Sequence, residues 1–132
     1  MEDRPQYPIP TVGALAEKEG LVLLVRTAKW RGLWGVPGGK VAWGEALAEA
    51  LRREFREAVG PALSQVRLAM SQEAIFSPEF YKPTHMLLFN YFARAEGEVR
   101  PNEAILAWAW VEPEKALAYL VKPFSRRELV PA

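Results

Sequence analysis

The chain contains no cysteine and one histidine, His85. Without thiols there is no disulfide, no thiol nucleophile and no Cys-ligated zinc, and a lone imidazole cannot build a His-rich metal centre. Any bound metal must be held by oxygen. Long hydrophobic runs are also missing: nothing approaches the roughly 20 apolar residues of a membrane span. The opening Met1-Glu2-Asp3-Arg4-Pro5 lacks the basic start of a signal peptide, so the expected location is the cytoplasm, with no membrane partner. Neither sign of charge dominates, since 17 Lys and Arg stand against 16 Asp and Glu. A net charge of +1 leaves no electrostatic footprint for polymeric nucleic acid. What is there is ordinary for a soluble globular protein: half the 132 residues are hydrophobic and a quarter charged. One domain over residues 1–132 is expected, acting as a monomer or homodimer.

Two apolar segments, Thr11 to Ala16 and Leu21 to Arg26, flank the polar turn Glu17-Lys18-Glu19-Gly20 and read as a β-hairpin. Leu21-Val22-Leu23-Leu24-Val25 is apolar without a break, as in a central strand covered on both faces. A basic loop from Thr27 to Leu33 follows, then a short extended piece, Trp34-Gly35-Val36-Pro37, after which Gly38 and Gly39 are expected to turn the chain. From Glu45 to Val59 the period becomes helical. At about 100° per residue, Leu47, Leu51, Phe55, Ala58 and Val59 gather on one arc, with Arg53, Glu54 and Glu57 beside it. Gly60-Pro61 ends that helix. Strands are expected over Val66 to Phe76, His85 to Arg94 and Ile105 to Val111, and a helix opens at Glu112-Pro113-Glu114 and runs through Leu120. Strands and helices mix without regular alternation, giving an α/β fold with a curved mixed sheet and helices on its faces.

The chemistry concentrates between Gly32 and Gly60. Gly32-Leu33-Trp34-Gly35-Val36-Pro37-Gly38-Gly39 leads into the helix. Five residues separate Gly39 from Glu45, and seven more precede Arg53-Glu54-Phe55-Arg56-Glu57-Ala58-Val59-Gly60. Glu54 and Glu57 lie three apart on one helix, so their carboxylates can converge on one ion, and one or two carboxylates plus phosphate oxygens suffice for Mg²⁺. Arg53 can pair with Glu57 and reach back toward Glu45 or Glu49. Glycines remove Cβ bulk, letting backbone groups face a metal or a phosphate. The plainer reading of such a helix is a solvated face held by Glu–Arg pairs.

This stretch resembles the Nudix box: Gly, five residues, Glu, seven residues, then Arg-Glu-apolar-any-Glu-Glu-any-Gly-apolar. It departs from that pattern at Ala58, where the second Glu of the pair should stand, commonly a direct metal ligand in the family. Trp110-Val111-Glu112-Pro113-Glu114 adds a further likeness, so the resemblance covers most of the chain. It implies a MutT-like Nudix fold, an α/β/α sandwich. It also implies a Mg²⁺-dependent hydrolase, Mn²⁺ being the alternative ion, that cleaves a pyrophosphate linkage in a nucleotide or nucleoside diphosphate derivative. By the same resemblance Glu54, Glu57, Arg53 and Glu45 form the catalytic set. Glu54, Glu57 and the Gly39 carbonyl hold the metal, and Gly38 and Gly39 contact cofactor or phosphate. The general base stays open among Glu54, Glu103 and Glu73. A rival reading stays open too: a Nudix-fold protein that binds a nucleotide-like ligand without efficient turnover.

Aromatics in loops supply the substrate candidates Trp30, Trp34, Phe80 and Tyr81, on which a base could stack, with Lys29, Arg31 and Lys82 as cations for phosphates. Their plainer readings are core or rim packing and solvated charge. His85 is expected to be a structural or edge residue, with contact to substrate as the alternative, Trp43 to cover the Gly turn, and Trp108 and Trp110 to share one strand face by core packing.

Overall fold

The computed structural model describes residues 6–120. Strands β1 (Ile9–Lys18) and β2 (Leu21–Thr27) form the expected hairpin, with Lys18 opposite Leu21. Its two-residue turn places Glu19 at φ 55° and Gly20 at φ 83°, the left-handed pair that matches the twist of a tight hairpin. Glu17 accepts a hydrogen bond from the Gly20 N–H at 3.0 Å, which offsets part of the strain at Glu19.

Val22 to Val25 are all buried, alternately toward two separate apolar clusters. That is why the run is apolar without alternation. Beyond the turn β1 and β2 separate, and the segment between β2 and the first long helix fills the gap. Strand β3 (Trp34–Gly35) pairs with the end of β2, and β4 (Gly38–Lys40) pairs with β1, Val12 opposite Gly39 and Gly13 opposite Gly38. Gly38 and Gly39 therefore do not turn the chain as expected from sequence, and neither has a positive φ. They are glycine because of close approach. A Cβ on Gly38 would overlap the Val12 carbonyl oxygen, a backbone atom that cannot step aside. Pro37, between β3 and β4, is buried, and its carbonyl accepts the Ala14 N–H at 3.1 Å.

Strands β5 (Ala62–Ile75), β6 (His85–Glu96) and β7 (Ile105–Val111) complete a seven-stranded sheet of order β3-β2-β1-β6-β5, with β4 on β1 and β7 on β2. The β1–β6 pairing is parallel and the others antiparallel, so the sheet is mixed. Strand β5 begins at Ala62 rather than Val66. Bulges between Ser64 and Arg67 and between Leu68 and Met70, with Gln65 at φ 52°, break the alternation a sequence reader relies on.

Helix α1 (Leu47–Val59) covers one face of the sheet. Ala50, Leu51, Phe55, Ala58 and Val59 pack on Val12, Ala14, Ala16, Leu23, Val25, Leu63, Tyr91, Ala93 and Ala95. Phe55 is completely buried, and replacing it by Ala would cost about 3–5 kcal/mol. The helix starts two residues after the expected Glu45. Ala46 remains extended, and its N–H donates to the Glu49 carboxylate at 2.9 Å. Helix α2 (Pro113–Leu120) covers the opposite face, with Ala116 packed against Val22 and Leu24. Helix, sheet and helix make the α/β/α arrangement.

Candidate active site

The site is built around one guanidinium. Arg53 Nε and Nη2 donate to the two oxygens of Glu45 at 2.7 and 2.8 Å, Nη1 donates to Glu54 at 3.0 Å and to Glu57 at 3.4 Å, and Nη2 also donates to the Lys40 carbonyl at 3.1 Å. A planar fork with five donors is the one side chain that can hold so many acceptors in fixed directions. It ties α1 to the loop carrying Glu45 and to the end of β4. Glu45 further accepts the Ala42 N–H at 2.9 Å. The Arg53 hydrogen bonds, then the Ala42 N–H, hold its carboxyl at a pKa of about 2, against an ordinary 4.5. The hydrogen bonds that Arg53 donates to Glu45 and then Glu54 raise its own pKa in turn. Arg53 therefore serves as a fixed positive strut.

Glu54 lies flat against β4: a Cβ on Gly39 would overlap its carboxylate. Gly39 thus opens a cradle in which that carboxylate meets the backbone of the Gly38-Gly39 strand. Its side chain is 22% exposed, against 60% for Glu57, one turn later. This donor set fits a hard divalent ion. Two carboxylates and a neighbouring backbone carbonyl are all oxygen, and Mg²⁺ takes the rest of its shell from water and phosphate. Among the described residues no group of three or more His, Cys, Asp or Glu is arranged to hold an ion.

Ala58 is buried in the α1 core cluster, so its methyl packs where the box has a carboxylate. Over this last turn lies the loop between β6 and β7. The Arg100 N–H donates to the Val59 carbonyl at 2.6 Å, the Asn102 N–H to Ala58 at 2.9 Å, and Asn102 Nδ2 to Glu57 at 3.2 Å. Gly60, at φ 110°, allows this approach, because a Cβ there would press on the Glu98 carbonyl and the Arg100 nitrogen. Sequence spacing does not single out Asn102 itself, because its side-chain partner Glu57 lies 45 residues away. Glu103 follows it, exposed, whereas Glu73 is exposed on the edge strand β5.

The substrate candidates from two distant loops meet. Trp30 and Phe80 pack edge to face with centroids 4.6 Å apart, Phe80 and Tyr81 likewise at 5.0 Å, and Arg31 Nε donates to the Phe80 carbonyl at 3.3 Å. The Tyr81 N–H donates to the Lys29 carbonyl at 2.7 Å, and Lys82 Nζ stands 5.4 Å from the Tyr81 ring centre. Trp34 instead sits with the α2-side cluster, beneath Arg26 at 5.9 Å. Trp43 does not cover the Gly segment as expected; it is fully exposed, because β4 leaves no turn to cover. Trp110 packs on the α1-side core, while its neighbour on the same face, Trp108, is 41% exposed. His85 opens β6 opposite Ile75, with Nε2 buried and without a hydrogen-bond partner among the described residues.

With this geometry in view, the comparisons with known proteins agree on one family: residues 8–132 match the NUDIX domain. The chain belongs to the Nudix family. It is 32% identical over 130 residues to the nucleoside triphosphatase NudI of Escherichia coli K12, covering 87% of this chain and 89% of that protein. Among solved structures it is similar to a MutT Nudix hydrolase from Burkholderia pseudomallei, at 31% identity and TM-score 0.71, covering 80% of this chain and 84% of the other. It is also similar to the ORF135 protein of E. coli, at 30% identity and TM-score 0.69, covering 94% of each. The fold is therefore the Nudix fold, and the enzyme is a Nudix pyrophosphohydrolase acting on nucleotide pyrophosphate linkages. Nudix hydrolases generally use divalent metal ions. No helix among the described residues is long and apolar enough to cross a membrane.

Proposed function

We propose that this Nudix enzyme is a cytoplasmic, Mg²⁺-dependent hydrolase of nucleoside triphosphates or nucleoside diphosphate derivatives, with Mn²⁺ as an alternative ion. The observation that carries this is the seating of Glu54 on Gly39, with Glu57 one turn away and both carboxylates on Arg53. Glu54, Glu57 and the Gly39 carbonyl hold the metal. When bound, the ion neutralises charge building on phosphate oxygens. Backbone N–H groups near Gly38 and Gly39 steady the phosphates, and Arg53, fixed by Glu45, keeps both metal-facing carboxylates in position. A carboxylate takes a proton from the attacking water, the water oxygen bonds to phosphorus, and the P–O–P bridge breaks. Glu103 is favoured over Glu73 as that base, because its neighbour Asn102 is bonded to α1 while Glu73 is on the edge strand; Glu54 is the further candidate. The cluster of Trp30, Phe80 and Tyr81 offers a face for the base, and Lys29, Arg31 and Lys82 offer charge for phosphates. The nucleoside triphosphatase named among the relatives supports a nucleoside triphosphate as the first substrate to try.

Ala58 favours a second reading, a protein that binds such a ligand with weakened turnover. The test is a nucleotide panel with Mg²⁺ and with Mn²⁺, following phosphate and pyrophosphate release alongside binding. Release that stops on chelation supports the hydrolase, and binding of the panel without release supports the second reading.

A further inference from the structure

We infer that Asn102 is a positioning residue for Glu57; this rests on the reading of Glu57 as a metal ligand. The last carbonyls of a helix have no partner within it, and a turn left in that state frays. In α1 those of Glu57, Ala58 and Val59 are all taken up by the loop before β7, two of them by Asn102 alone. Its side-chain nitrogen donates to the Glu57 carbonyl, its backbone N–H donates to the Ala58 carbonyl, and its Oδ1 accepts the Ala104 N–H at 2.9 Å. One residue thus joins the last turn of α1 to the start of β7.

The two carboxylates depend on that turn unequally. Glu54 is pinned by its own surroundings, the Gly39 cradle and a 3.0 Å bond to Arg53. Glu57 is 60% exposed, and among the described residues its carboxylate has one long contact, 3.4 Å to Arg53. Where Glu57 presents its oxygens is therefore set by its backbone, and its backbone is set by Asn102. Ala58 sharpens the dependence, because a methyl stands where the box has a second carboxylate next to Glu57. Support behind a metal-holding side chain typically accounts for about 10–100-fold in metal affinity.

The experiment uses the full chain without substrate, titrating Mn²⁺ by electron paramagnetic resonance in wild type, Asn102→Ala, Glu57→Gln and the double variant. Thermal unfolding and amide exchange at residues 57–60 are followed in parallel. Asn102→Ala is expected to weaken Mn²⁺ by about tenfold, to speed exchange in that turn with little change in Tm, and to weaken Mn²⁺ no further once Glu57 is Gln. Unchanged affinity in Asn102→Ala, or the same loss repeated in the Glu57→Gln background, overturns the inference while leaving Glu57 a ligand. Unchanged affinity in Glu57→Gln itself sinks the ligand reading and this inference with it. Should Asn102→Ala fail to fold, Asn102→Asp retains the acceptor for Ala104, loses the donor to Glu57 and adds a negative charge at the C-terminal end of α1. Faster exchange at residues 57–60 is then expected, and native exchange there overturns the inference.

Discussion

Arg53 is more than a partner in surface ion pairs, because it holds three carboxylates and a backbone carbonyl at once. Its bond to Glu45 has a pH consequence. The Glu45 carboxyl has a folded pKa of about 2, below its ordinary 4.5, so this pairing stabilises the fold fully above the ordinary value. The contribution is lost as pH falls through the folded one. Arg53→Gln should therefore lower Tm at neutral pH, and the gap to wild type should close between about pH 5 and pH 2, as read by thermal melts across that range. A gap independent of pH would show that Arg53 acts through packing instead. At Ala58 two effects compete. Ala58→Glu adds an anionic oxygen beside Glu54 and Glu57 but displaces a methyl from the core under the Arg100 to Asn102 loop. The expected outcome is a lower Tm without metal, a larger rise of Tm on adding Mg²⁺ than in wild type, and a lower half-saturating Mg²⁺ for hydrolysis. Unchanged metal dependence would mean that the ligand set has been completed elsewhere, with Glu103 the first residue to examine. Glu45, Arg53, Glu54 and Glu57 were legible in the sequence because their spacing follows one helix and one short loop. Asn102 was not, because only the folded chain brings it to Glu57.

At the level of elements, the two glycines before the site have different tasks although they are adjacent. A Cβ at position 38 meets the backbone of Val12, and one at position 39 meets the side chain of Glu54. Gly38→Ala should thus destabilise the fold by about 1–3 kcal/mol, since the β1–β4 pairing must open to admit it. Gly39→Ala should leave more of the stability and lose activity, because Glu54 is pushed from its cradle. Denaturant melts and steady-state rates on both variants check this, and equal stability losses with equal activity losses would contradict it. The same pair shows where sequence reading stops. Glycines usually signal turns, and only the approach of β1 reveals that these belong to a strand. Helix α1 was readable from its period and from Gly60, and β2 from its unbroken apolar run. The start of β5 was not, because its bulges erase the alternation.

Over the whole molecule, the separation of β1 from β2 lets β3 and β4 enter the sheet and carry Gly38 and Gly39 beneath α1. The loops bearing Trp30 and Phe80 meet at the end where β2 finishes and β6 begins. Sequence predicted both helical layers and the mixed sheet, but not that the loop aromatics from the two sides would pack together. On the proposed function, the two surviving box carboxylates sustain metal-dependent hydrolysis although Ala58 stands in place of the third. The most direct measurement is the hydrolysis rate of a nucleoside triphosphate against Mg²⁺ concentration in wild type, Glu57→Gln and Glu49→Gln, with Tm recorded for each. Glu49 serves as the comparison because its carboxylate caps the start of α1 and lies outside the box pattern. Glu57→Gln is expected to lower the rate by about two orders of magnitude or more with little change in Tm, and Glu49→Gln to leave the rate near wild type while costing up to about 1 kcal/mol of stability. A Glu57→Gln enzyme that reaches the wild-type rate at saturating Mg²⁺ with an unchanged half-saturation point would contradict it.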